Sequence, residues 1–186
     1  MKKWLYNPFT HIAGIQALIL GTIILFVTVT GAYYSNMHFN GAIDAHFGPH
    51  EAFVIYLLEQ VIAWSCPVVL FYLLAFILSS SNFRFIDIAG TIAIARTPML
   101  LIVVLAFLSK GHIQTLNHGT VDSIIMVIGL LMLLPVIWMI TLMYNAFTVS
   151  FNLKGTKAIV GFIGGLILAE VVSILLNQLL HYYINQ

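Results

Sequence analysis

Three ionisable side chains, Glu59, Arg96 and Glu170, stand inside otherwise apolar runs. A charge at the centre of a hydrocarbon layer costs about 2.5–3.5 kcal/mol even on the lenient insertion scales, so such groups turn towards one another or towards water. Two carboxylates and a guanidinium can form a buried ion cluster; the same groups can also carry a proton or cation. A different chemistry is offered by the segment HFGPHE, where His46, His50 and Glu51 supply imidazole and carboxylate donors of the kind that zinc, copper or nickel take. Gly48 and Pro49 spoil the helical i, i+4 spacing used by HExxH sites. The plainer reading of this segment is a loop of polar rings at an interface.

The elements that must carry these groups follow from composition. Of the 186 residues, 61% are hydrophobic and only 7% are charged. A water-soluble surface of this size needs about a quarter of its residues charged. The chain is therefore expected to be an integral membrane protein, a single domain over residues 1–186. Its net charge of +1 gives no electrostatic case for nucleic acid. The one cysteine, Cys66, excludes an internal disulfide and any zinc-finger spacing.

Crossing ~30 Å of hydrocarbon as helix takes about 20 apolar residues. Five segments qualify, at about 10–33, 52–79, 86–108, 121–148 and 157–181. The expected fold is all-α, a bundle of five transmembrane helices, because the runs are too long and too uniform for barrel strands. Lys2 and Lys3 before an apolar run also suit a signal peptide cleaved near Ala32, but the run is longer than an h-region, and a retained helix is expected. Lys2, Lys3, Arg84, Lys154 and Lys157 fall on one side of the bundle and only Lys110 on the other. This places the N-terminus in the cytoplasm and the C-terminus outside. His38, His46, His50, His112, His118 and His181 then share the outer side with Asp44, Glu51 and Asp122, leaving His11 at the inner end.

At 1.5 Å per residue, Arg96 lies ~15 Å in from the start of its span, and Glu59 and Glu170 both lie ~20 Å from the cytoplasmic face. The expectation is that Arg96 bridges to Glu170, with Glu59 as the second acid. Gly161 and Gly165 form a GxxxG spacing with Gly164 beside them, a pattern for close helix packing. Pro67, Pro98 and Pro135 lie inside spans, and each frees a carbonyl one turn earlier.

Asp87-Ile88-Ala89-Gly90 opens the third span and Ala95-Arg96-Thr97-Pro98 follows. Tyr144-Asn145 leads the close of the fourth, and Leu153-Lys154-Gly155-Thr156-Lys157 enters the fifth. Together these resemble the bacterial branch of the Yip1 family. The signature of its eukaryotic members at the third span reads Asp-Leu-x-Gly-Pro; here Asp87 and Gly90 match, while Ile88 and Thr91 depart from it. The resemblance implies five membrane helices, a cytoplasmic N-terminus and no enzymatic activity, with Asp87, Gly90, Arg96, Pro98, Tyr144 and Asn145 as motif residues. No G-x-S-x-G elbow, HExxH or phosphate loop stands in the sequence, and no histidine lies mid-span for intramembrane proteolysis or for haem. The expectation is a non-enzymatic protein without a cofactor, in a bacterial inner membrane. Its role would be structural, membrane-organising or partner-binding, its partners being the lipid bilayer and other membrane proteins or further copies of itself. The alternative is a small ion- or proton-coupled transporter or channel built on Glu59, Arg96 and Glu170.

Overall fold

The computed structural model describes residues 5–116 and 123–184. A 3₁₀ turn at Pro8–Thr10 leads into α1, Gly14–Ser35. There follow α2, Phe53–Leu78, then α3, Phe85–Ala95, and α4, Met99–Leu116. The chain continues with α5, Ser123–Phe151, and α6, Gly155–Ile184. Between α1 and α2, two-residue strands β1 (Met37–His38) and β2 (His46–Phe47) pair antiparallel, with His38 opposite His46. These runs become helices because only a helix satisfies its own backbone where no water can.

Among the described residues five helices are long and apolar enough to cross a membrane, α3 and α4 counting as one span over Phe85–Lys110. The five-helix all-α architecture expected from hydropathy is thus present, with bounds within a few residues of those read from the sequence. The third span is the axis of the bundle: 61% of its central window is buried, against 11% for α5. Its charge therefore lies among helices, whereas α5 leaves most of its surface exposed.

The third span breaks at Arg96-Thr97-Pro98. Proline has no N–H and its ring clashes with the preceding turn, so the α-ladder cannot run through it unchanged. Here the chain tightens into i→i+3 bonds, Met99 N donating to Arg96 O (2.9 Å) and Leu100 N to Thr97 O (3.1 Å). Pro67 and Pro135 cause no such break; α2 and α5 continue through them.

Helix contacts follow the small residues. A Cβ on Gly90 would lie 2.6 Å from the Leu18 backbone N and 2.9 Å from Ala17 Cβ, so α1 and α3 approach backbone to backbone. A Cβ on Gly165 would lie 2.7 Å from Leu74 and 2.8 Å from Phe71, and Gly161 presses on Leu78 in the same seam between α6 and α2. Gly164 does not share this packing role, since a Cβ there would meet nothing within 4 Å among the described residues. One position short of Gly165, it is turned about 100° round the helix, off the ridge that faces α2. Gly90→Leu should therefore destabilise the bundle by about 1–3 kcal/mol or more, and Gly164→Leu should stay within about 0.5 kcal/mol. Unfolding of the two variants by added SDS in mild detergent measures this. Equal losses would show that the α1–α3 approach does not govern stability.

Candidate functional site: two buried polar centres

The first centre is built around Arg96, whose side chain is fully buried. Pro67 cannot donate to the carbonyl of Ala63 four residues earlier, which leaves that oxygen open inside the bundle. Arg96 Nη1 takes it at 3.1 Å. The same nitrogen donates at 2.5 Å to the carbonyl of Ala42, in the loop between α1 and α2.

That loop turns inward after Asn36, which caps α1 in the left-handed conformation (φ 56°). Met37, Phe39 and Ala42 are buried beneath it. Its backbone is held by one stripe of α6. Asn177 Nδ2 donates to Asn40 O (2.7 Å), Ala42 N donates to Ser173 Oγ (2.9 Å), and Ile43 N donates to Glu170 Oε2 (2.9 Å). Gly41 lets the Glu170 carboxylate lie against the loop, because a Cβ there would make the carboxylate shift from its place at Ile43 N.

Arg96 and Glu170 therefore meet, but not as the direct pair expected from their depths. They grip opposite ends of one peptide unit: the guanidinium bonds the Ala42 carbonyl and the carboxylate accepts from the Ile43 N–H. Arg96 Nε and Nη2 have no hydrogen-bond partner among the described residues. Depth matching brought the two residues to one level, yet a backbone segment lies between them.

Glu59 departs further from expectation. It is fully buried and belongs to a second centre, its partners among the described residues being His38, Phe39 N and His181 and not Arg96. Its Oε1 lies 2.9 Å from His38 Nδ1 and 2.9 Å from His181 Nε2, and its Oε2 accepts from Phe39 N at 3.4 Å. His181 Nδ1 is 3.7 Å from Glu51 Oε2. His38 Nε2 donates to the carbonyl of Pro49 at 2.9 Å, and the Tyr56 ring stacks on its face with centroids 4.4 Å apart. Burial pulls the His38 imidazole pKa down, but its bonds to Glu59 and to Pro49 O, with the Glu59 charge, outweigh this and hold it above the ordinary histidine value.

The HFGPHE segment contributes otherwise than its residue types suggest. Of its three expected donors only Glu51 brings a ligand atom to the second centre, while the His46 ring stacks on His38 with centroids 5.8 Å apart. His46 Nδ1 lies 3.3 Å from Asp44, and His50 Nδ1 lies 2.9 Å from Asn36 Oδ1, so the two rings do not converge with Glu51. Gly48 and Pro49 keep the segment non-helical, which aims these side chains apart. They also build the second centre: a Cβ on Gly48 would sit 2.5 Å from the His38 ring, and Pro49 supplies the carbonyl that orients it. The side chain of His112 and the whole of His118 and Asp122 lie outside the described residues.

The stripe Glu170, Ser173, Asn177 and His181 serves both centres from one helix face. Its i, i+3, i+7, i+11 spacing was the sequence signal for Ser173 and His181, the two partners that reasoning from charge alone missed. The remaining motif residues tie the other end of the bundle. Arg84 grips Asp87 through two bonds of 3.0 Å, Asn145 Nδ2 donates to Tyr6 O at 2.6 Å, and Tyr144 packs edge-on against Phe162. Pro98 ends the turn that presents Arg96. A crevice of ≈ 600 Å³ between α4, α5 and residues 43–47 reaches Glu170.

No family model, curated protein or solved structure matches this chain.

Arg96→Leu should cost about 3–5 kcal/mol, since it leaves the Ala42 and Ala63 carbonyls without their donor and removes the charge facing half-buried Glu170. Glu170→Leu should cost less, and the double variant should fall short of the sum by about 0.5–3 kcal/mol. Chemical unfolding of the four proteins in detergent gives the coupling; strict additivity would mean that the two side chains act independently.

Proposed function

We propose that this chain is a non-enzymatic, multi-pass protein of a bacterial inner membrane. In this reading it is Yip1-like in type, has a cytoplasmic N-terminus, and acts as a structural or partner-binding element of the bilayer. The observation that carries the reading is the use to which the intramembrane polar groups are put. Arg96, Ser173 and Asn177 bond to the backbone of the chain's own α1–α2 loop, and Glu170 accepts from it. Groups engaged in holding a fold are poorly placed to bind and release a passing ion. The faces of α5 and α6 that remain exposed, including Leu130, Leu134, Val160 and Ile167, are free to meet lipid or a neighbouring membrane protein.

A second reading, a small ion- or proton-coupled transporter, draws support from the crevice of ≈ 600 Å³ that reaches Glu170. The two differ in whether water arrives at the centre. In a Cys66→Ser background, Ile92→Cys and Glu170→Cys should both resist a membrane-impermeant maleimide applied from either side of intact membranes. Labelling of either position favours the transporter. Cation flux in proteoliposomes that disappears in Glu170→Gln would overturn the structural reading.

A further inference from the structure

We propose that His38, Glu51 and Glu59, with His181 as a fourth donor, form a binding site for one divalent transition-metal ion of the zinc type. The inference goes beyond the structural role argued above and does not depend on it. One ligand atom from each of His38, Glu51 and Glu59 lies within 4.8 Å of the other two. His181 Nε2 adds a second imidazole 2.9 Å from Glu59 Oε1. Ligands at ~2.0–2.1 Å from a tetrahedral ion stand about 3.3 Å from one another. The 2.9 Å separations of His38 Nδ1 and of His181 Nε2 from Glu59 Oε1 lie near that edge, and side-chain shifts that bring Glu51 in would close the shell.

Three further features point to a cation. The first is charge. Glu59 is fully buried, and the ion-pair partners of Glu51 and Glu59 among the described residues are imidazoles rather than Lys or Arg. Two carboxylates beside two neutral imidazoles carry a charge that one divalent ion cancels. The second is orientation. A carbonyl can only accept, so His38 Nε2 carries its proton towards Pro49 and Nδ1 is the nitrogen left facing the carboxylate. An imidazole whose far N–H is fixed by a backbone carbonyl is the usual second-shell arrangement of a metal-bound histidine. The third is an open donor: Glu51 Oε2 is buried and has no hydrogen-bond partner among the described residues. Mixed imidazole and carboxylate donors, two of each, suit zinc and its first-row neighbours better than calcium or magnesium.

The test uses the full chain in detergent, stripped with a chelator and titrated with Zn²⁺ against a chromophoric competitor, with Co²⁺ as a visible-absorbance probe of geometry. One Zn²⁺ per chain is expected, together with tetrahedral Co²⁺ bands and a rise in melting temperature. Glu51→Gln lies at the rim of the cluster and should melt near the wild-type chain in chelator, while His181→Ala, which removes a bond to buried Glu59, should melt lower but fold without metal. Each should weaken Zn²⁺ by at least about 10–100-fold, the effect of losing a mere second-shell partner. His46→Ala and His50→Ala should bind as the wild type does. Absence of saturable Zn²⁺ and Co²⁺ binding by the folded wild-type chain would overturn the proposal. So would wild-type affinity in both Glu51→Gln and His181→Ala. Thiol labelling and flux are read without metal, so either proposal can fail alone.

Discussion

The peptide between Ala42 and Ile43 is the point on which the bundle turns. Its carbonyl accepts from Arg96 and its N–H donates to Glu170, so an acid and a base from two different helices are joined through one backbone dipole. By helical rise, Glu170 stands ~22 Å along α6, well inside a ~30 Å hydrocarbon layer. Non-helical backbone survives at such depth only where protein groups replace the missing water. Here the replacements can be named one by one: Asn177 for the Asn40 carbonyl, Ser173 for the Ala42 N–H, Arg96 for the Ala42 carbonyl and Glu170 for the Ile43 N–H. The arginine is thus an internal donor before it is a charge. One of its nitrogens, Nη1, serves two carbonyls from separate segments.

Two prolines make that arrangement possible from opposite sides. Pro67 withholds a donor from Ala63, so that α2 keeps its course while one of its carbonyls turns to Arg96. Pro98 does the reverse, breaking the third span into α3 and α4 so that Arg96 occupies a turn and not a continuous helical wall. Around this turn the helices close on small residues, with Gly90 against the Ala17–Leu18 backbone. Burial of the polar centre and close approach of the helices are therefore one design. A wider α1–α3 spacing would loosen the walls around the guanidinium, and the low-dielectric surroundings that strengthen its bonds would be lost.

The spans were legible because a hydropathy run of about 20 residues has one stable form in lipid. The unusual charges were legible for the same reason, each being too costly to lie there by chance. The partners of Arg96 were not, because they are backbone carbonyls, and nothing in the letters for Ala42 or Ala63 marks an acceptor. Pro67 was the only hint for Ala63. Nor did the loop residues 36–52 disclose that they fold inward; they read as an ordinary polar connection. Once the loop is inside, His38 reaches Glu59 and the expected Glu59–Arg96 pairing is lost. The polar stripe on α6 was legible in principle, since Glu170, Ser173, Asn177 and His181 repeat at helical spacing. Ser173 and His181 escaped a search that followed formal charge.

The two polar centres are not independent, because one rigid helix serves both. Glu170 and His181 are eleven positions apart on α6, ~16 Å along its axis. One end of that stripe holds the peptide beneath Arg96 and the other touches Glu59. The inward loop is pinned at matching places, by its backbone at residues 40–43 and by the His38 side chain. A sliding of α6 by one turn would have to break both sets together, since no loop bond could be kept while its neighbour changed partner. The register of α6 against α2 is accordingly fixed by hydrogen bonds of defined direction, where apolar contacts between lipid-soluble helices would set it only loosely.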